Sequence, residues 1–332
     1  YWALILGTLF SRVLGVALSY ALQPFRPRFT LVARRDLMTF SGWIMANGLL
    51  YFLTTRLSHL VIGRLSGPSS LSLFSAATEI ANVPSTELVA PINRALFPAF
   101  ARMAEGTGGL KRGLLGALSV ITLLALPACI GLAAVADPLV HVLLGNKWTG
   151  AAPVVALLAF AGIVPMITSP NYLAYLALAR THIPVYIGFW QATSLILLLF
   201  VFGRNGAVGV AQAQLISSII VVIPSVYYMH SLLQIHTADL WSVLWRPIVA
   251  SAAMWLVVHA ATEPLAAHVG ATAYLAQLAV LVPLGFVTYV LLAVALWLFS
   301  GRPNGAETYV LDMARRATSR LAFSSAPAAA RK

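Results

Sequence analysis

The chain has 332 residues, of which 60% are hydrophobic and only 9% charged, against roughly a quarter charged in a soluble domain. Too few polar groups remain to cover a water-facing surface, and a mean hydropathy of +0.87 agrees, so a soluble globular protein is excluded and most of the exterior faces lipid. The net charge of +12 would suggest nucleic acid in a soluble protein; here the basic residues lie mostly between apolar runs, where anionic lipid headgroups or a phosphate-bearing substrate fit better and nucleic acid does not.

A helix needs about 20 residues to cross roughly 30 Å of hydrocarbon. On that measure the first predicted span covers 2–23 and holds Arg12. The chain opens at Tyr1 and Trp2 and is apolar at once, without the basic stretch and cleavage site of a signal peptide, so an upstream portion is expected. Further spans follow at 40–63, with Arg56 and His59, and at 71–97, with Glu79, Asn82, Glu87, Asn93 and Arg94. Next come 113–136, with the single cysteine Cys129, and then 151–174, 183–203, 206–229, 247–264 and 272–299. Pro153, Pro165 and Pro170 leave open whether 151–174 is one helix or two. The expected class is all-α, a polytopic membrane protein of about nine transmembrane helices.

Loop charge sets the orientation. With nine spans, Arg26, Arg28, Arg34, Arg35, Arg102, Lys111, Arg112, Arg180, Arg246 and the basic residues of the tail fall on one side. Only Arg64, Lys147 and Arg204 fall on the other, which makes the first side cytoplasmic, carboxy-terminus included. In the tail, Tyr309, Val310, Met313, Ala317 and Leu321 recur at helical spacing beside Arg315, Arg316 and Arg320. That pattern suits either a short helix on an anionic surface or a solvated tail.

A charge at the bilayer centre is costly, so an intramembrane ionisable residue usually faces a cavity or a partner. The third span is the densest case. At about 100° per residue, Glu79, Asn82, Thr86, Glu87, Asn93 and Arg94 fall within a sector of roughly 140°, one polar wall on an apolar helix, with Pro84 expected to kink it. Such a wall suits a water-filled path. Arg94 can instead snorkel to the headgroups, Arg12 can pair with a helix outside the chain, and Glu79 or Glu87 can serve only to hold helices together. Arg56 with His59 has the best claim to function, being about mid-span with no acid nearby in sequence. Asn171, Gln191, Gln212 and Gln214 suit hydrogen bonds between helices. No phosphate-binding glycine loop, metal-ligand spacing or long outer loop is present, so no catalytic residue, metal or cofactor is expected and transport fits better than catalysis.

Three segments carry a resemblance: Ser58 to Gly67 (SHLVIGRLSG), Ala81 to Pro98 (ANVPSTELVAPINRALFP) and Leu144 to Trp148 (LGNKW). The chain resembles the polysaccharide flippases of the multidrug/oligosaccharidyl-lipid/polysaccharide exporter superfamily, most specifically from Pro84 to Pro98. The resemblance implies two six-helix lobes around a central cavity. Residues 1–36 would be the last helix of the first lobe and a cytoplasmic linker, and 37–235 the second lobe of six helices. Residues 236–300 would add two further helices, 301–332 a cytoplasmic basic tail, and about five helices would lie upstream.

It also implies translocation of a polyprenyl-pyrophosphate-linked oligosaccharide from the cytoplasmic to the outer leaflet of the inner or plasma membrane. Arg56, Arg12 and Arg94 would attract the pyrophosphate, with His59, Asn82 and Asn93 beside them in the cavity. Glu79 or Glu87 would bind a proton or sodium ion that couples transport. Related proteins often carry an Asp close to Ser58 and His59, and none stands there in this chain. Anionic lipids and a polysaccharide polymerase are the expected partners. A multidrug exporter of the same superfamily, a membrane polymerase or ligase of the same pathway, and an interaction partner without transport of its own remain as alternatives.

Overall fold

A computed structural model describes residues 2–22, 34–104, 109–269 and 273–301. Among them there are helices and no strands. The chain divides into two compact units, residues 1–42 and 43–332. In the first, helix α1 (Trp2–Leu22) has every described side chain exposed. Helix α2 (Arg34–Leu65) begins in the first unit and ends in the second.

The second unit continues with α3 (Gly67–Pro84), a π-helical turn (Ser85–Val89) and α4 (Ala90–Ala104), without a break between them. Then follow α5 (Gly109–Ala134), α6 (Ala136–Leu144), α7 (Ala151–Ala177), α8 (His182–Phe202), α9 (Gly206–Ile220), α10 (Val222–Leu233), α11 (Thr237–Val269) and α12 (Tyr274–Phe299). Each of the nine predicted spans falls on one of these helical stretches. The prolines do not divide α7: Pro153 lies in its first turn, where no helical donor is lost, and Pro165 and Pro170 sit inside one continuous helix. The tail from residue 302 lies outside the described residues, and so do the linker arginines Arg26 and Arg28.

Among the described residues, six stretches are long and apolar enough to cross a membrane by length and composition: 5–22, 109–134, 151–177, 182–233, 237–265 and 274–299. The fourth holds both α8 and the α9–α10 pair. The α2 helix and the 67–104 helix are long enough but carry the charges and carboxamides described above. The chain is an all-α polytopic membrane protein, and large exposed side chains such as Phe189, Phe200 and Phe286 are its lipid-facing surface.

Helix α7 is the hub. One end packs with Ile62, Phe74, Ala77, Ala81, Leu195 and Val210 of α2, α3, α8 and α9; the other meets Phe100, Leu114, Ile183 and Met229 of α4, α5, α8 and α10. Lipid tails are as apolar as leucine, so close packing and polar bonds, rather than the hydrophobic effect, hold such helices together. Small residues allow that approach: Ala151, Ala152 and Ala159 on α7 lie fully or nearly buried, as do Ala207, Ala211 and Ala213 on α9. At the α8–α9 hairpin, Gly206 takes φ +69°, and any side chain at Gly209 would collide with the Phe202 carbonyl and Asn205. Helices α11 and α12 pack on α5 through Val135, Met254, Val258 and Leu281, and the Tyr289 hydroxyl donates to the Leu123 carbonyl at 2.7 Å.

Candidate functional site

The polar wall predicted on the third span is present, but its register differs. Pro84 has no N–H to give, and the chain relaxes into a five-residue π turn rather than a plain kink. Such a turn takes in one extra residue and rotates everything after it by about 100° relative to a straight α-helix. The buried seam shows the effect. It runs Phe74, Ala77, Ala81 and Pro84 in steps of three and four, then jumps five residues to Val89 before reaching Phe100.

This rotation sorts the polar residues. Glu79, Asn82, Thr86, Glu87 and Arg94 are all exposed on the outer side of the helix. Asn93 turns inward instead: its Nδ2 donates to Ser169 Oγ of α7 at 2.9 Å, and its Oδ1 is buried without a partner. The inserted residue thus removes Asn93 from the wall while Arg94 remains on it. Among the described residues, Glu79, Glu87 and Arg94 form no ion pair, although both signs of charge share the face.

Helix α2 lies against α3, α8 and α9. Trp43 meets the ring edges of His182 and Tyr186 with centroids 6.1 Å away, and Ser58 Oγ accepts from Gln214 Nε2 at 2.9 Å. His59 is half-buried, its Nδ1 2.9 Å from the Thr55 carbonyl and its ring edge-on to Phe74 of α3. Arg56 is exposed and paired with no acid among the described residues; its guanidinium stands 5.6 Å from the Phe52 ring one turn earlier. His59 therefore helps to tie α2 to α3, while Arg56 is left available. Arg12 belongs to the first unit, on a face of α1 formed by Gly7, Ser11, Gly15 and Ser19. No group of three metal-ligating side chains gathers among the described residues.

A second feature had no counterpart in the sequence reading. A cavity of about 160 Å³ opens between α2, α7, α8 and α10, lined by Asn47, Tyr51, Thr54, Thr168, Asn171, Tyr172, Tyr175, Gln191 and Ser225 among others. Asn171 and Gln191 had been read only as links between helices. At Gln191 it is the main-chain carbonyl, not the carboxamide, that accepts from the Ser217 hydroxyl of α9. The available signal was periodicity: Thr168, Asn171, Tyr172 and Tyr175 recur at i, i+3, i+4 and i+7 within an apolar run.

Comparison with known proteins gives one consistent answer. A family model described as "Polysaccharide biosynthesis protein" matches residues 1–153. The lipopolysaccharide biosynthesis protein WzxC of Escherichia coli is 31% identical over 208 residues, covering 62% of this chain and 42% of its own length. The succinoglycan biosynthesis transport protein ExoT of Rhizobium meliloti is 28% identical over 282 residues, with coverages of 81% and 55%. The lipid II flippase MurJ in an inward closed conformation superposes with a TM-score of 0.64 at 16% identity, over 85% of this chain and 59% of that one. The chain thus spans about half the length of the curated relatives it matches, and shares the MurJ fold. The resemblance read from its motifs is borne out: the chain is similar in sequence to polysaccharide biosynthesis and transport proteins and in fold to a flippase.

Proposed function

We propose that the protein to which this chain belongs moves a polyprenyl-pyrophosphate-linked oligosaccharide from the cytoplasmic to the outer leaflet by alternating access, for cell-surface polysaccharide synthesis. The observation that carries this reading is the charged outer face of the 67–104 helix, unpaired among the described residues, together with an Arg56 on α2 that is likewise unpaired there. Charges without protein partners inside a membrane protein need water or a charged ligand. A pyrophosphate satisfies arginines through charge-assisted hydrogen bonds, sugars need a polar passage, and the polyprenyl tail stays in the lipid. In this reading residues 37–235 form the second lobe, 236–300 an added helix pair, and Arg12 belongs to the first lobe. The protein sits in the inner or plasma membrane with the carboxy-terminus cytoplasmic, and it transports rather than catalyses.

Glu79 or Glu87, on the same face as Arg94, binds the proton or sodium ion that biases inward-facing against outward-facing states. A multidrug exporter with cationic substrates is the poorer match, because an unpaired Arg56 would repel them. The test deletes the full-length gene from its host and measures lipid-linked oligosaccharide by leaflet. Accumulation on the cytoplasmic side, reversed by wild type and not by a normally inserted Arg56→Ala, is the expected result. A normal leaflet distribution in a host without a second flippase overturns the substrate assignment.

A further inference from the structure

We infer that the neutral cavity between α2, α7, α8 and α10 is a sugar-binding subsite that takes one uncharged sugar residue of the substrate. The inference rests on the transport reading above and deepens it by separating sugar recognition from the charged face. Three observations support it.

The first is chemical. The lining groups that carry the argument, Asn47, Thr54, Thr168, Asn171, Tyr175 and Gln191, are all neutral; the carboxamides and the Tyr175 hydroxyl can donate and accept, and the Thr54 and Thr168 hydroxyls, which donate to the Tyr51 and Val164 carbonyls, can accept. A sugar hydroxyl needs that mixture, whereas a pyrophosphate needs donors and positive charge, and a hydrocarbon tail needs neither. Tyrosine faces also suit the apolar C–H face of a pyranose. The second is an unfilled demand. Asn171 is 3% exposed and Tyr175 1% exposed, yet Asn171 Oδ1 and the Tyr175 hydroxyl have no hydrogen-bond partner. The two lie one turn apart on α7 and both line the cavity. Buried polar atoms are almost always paired, so an acceptor and a hydroxyl without partners on two residues that line one cavity mark a place where something else can bind. The third is access and size. Tyr51, at the rim, is 73% exposed, so the cavity reaches the molecular surface. Its 160 Å³ holds about five waters, the space of roughly one sugar ring.

Two variants test the subsite without removing its packing. Gly188 lines the cavity, and a methyl there would lie 3.5 Å from Leu50 Cδ1 and 3.6 Å from Asn47 Oδ1, ordinary contact distances. Gly188→Ala therefore narrows the cavity while leaving every polar group in place. Tyr175→Phe removes only a hydroxyl. Full-length protein would be purified and its affinity measured for two probes. One is the lipid-linked oligosaccharide pool from the deletion host; the other is the same pool after mild acid has stripped its sugars. Wild type is expected to prefer the intact pool, and each variant to lose roughly tenfold of that preference while binding the stripped lipid as before. An unchanged preference in both folded variants means that the cavity holds only water, which overturns the subsite and leaves the transport reading intact. Equal losses for both probes also overturn it. A wild-type protein that binds neither probe removes the transport reading and the subsite with it.

Discussion

Helix α12 and the helix over residues 67–104 are both long enough to cross a bilayer, and they solve opposite problems. From Tyr274 to Phe299, α12 has no charged residue; it buries Gln277, Leu281, Gly285 and Tyr289 and turns Phe286, Leu291 and Val294 outward. The 67–104 helix buries small and aromatic residues and turns outward Glu79, Asn82, Glu87 and Arg94. An outward leucine is at rest in lipid and an outward glutamate is not. In the proposed transport reading, exposure has two meanings in one molecule: lipid on the helix pair at the carboxy-terminal side, and an aqueous or ligand-filled space along the third span.

The comparison breaks most sharply if a charge is moved between the two surfaces. Phe286→Arg puts a cation into lipid near the middle of α12 and should cost about 3 kcal/mol, read as a large loss of properly inserted protein by protease protection. Glu87→Arg, on the polar face, should insert like wild type. Equal behaviour of the two would show that both faces meet the same solvent. A smaller effect is expected at Arg56. Loss of its charge-assisted bonds should lower transport roughly 10- to 100-fold at unchanged membrane abundance, assayed as leaflet distribution of the lipid-linked oligosaccharide.

Smaller again are the carboxylates. Glu79→Gln or Glu87→Gln should slow transport severalfold and remove its response to a collapsed proton or sodium gradient, while leaving insertion alone. Transport that ignores both gradients in wild type would take ion coupling away from this face. The smallest expected change is on the apolar side. Tyr289→Phe removes the hydroxyl that holds α12 to the Leu123 carbonyl, and polar bonds between membrane helices average about 0.6 kcal/mol. A slight drop in thermal stability with full transport is the outcome that fits.

Much of the fold was legible because length and apolarity alone report a membrane helix. Each of the nine predicted spans lies on a helix, including α7 despite its three prolines. The wall of Glu79, Asn82, Glu87 and Arg94 was legible as well, since polar residues stand out in such a helix. Its rotation was not. Pro84 announces a lost hydrogen bond, but whether the chain bends or widens depends on α5 and α7, which pack against Val89 through Ile121, Cys129 and Met166. For that reason Asn93 was expected on the wall and instead bonds to Ser169. The neutral cavity was hidden for a different reason. Asn47, Asn171 and Gln191 are far apart in sequence, and only the packing of α2 on α8 and α7 brings them to one place.

The π turn at Ser85–Val89 also sets which mutations the charged face can survive. The two halves of the helix hold their present register because one residue is taken in between them. Removing a single residue there would close the turn into ordinary α-helix and leave the flanking halves aligned as they are. A substitution that closed the turn at unchanged length would instead rotate everything after it by about 100° and return Asn93 to the outside. The face is thus protected by what keeps the turn open rather than by chain length, and a point substitution at the turn, silent for span count and hydropathy, is the lesion to which it is most vulnerable.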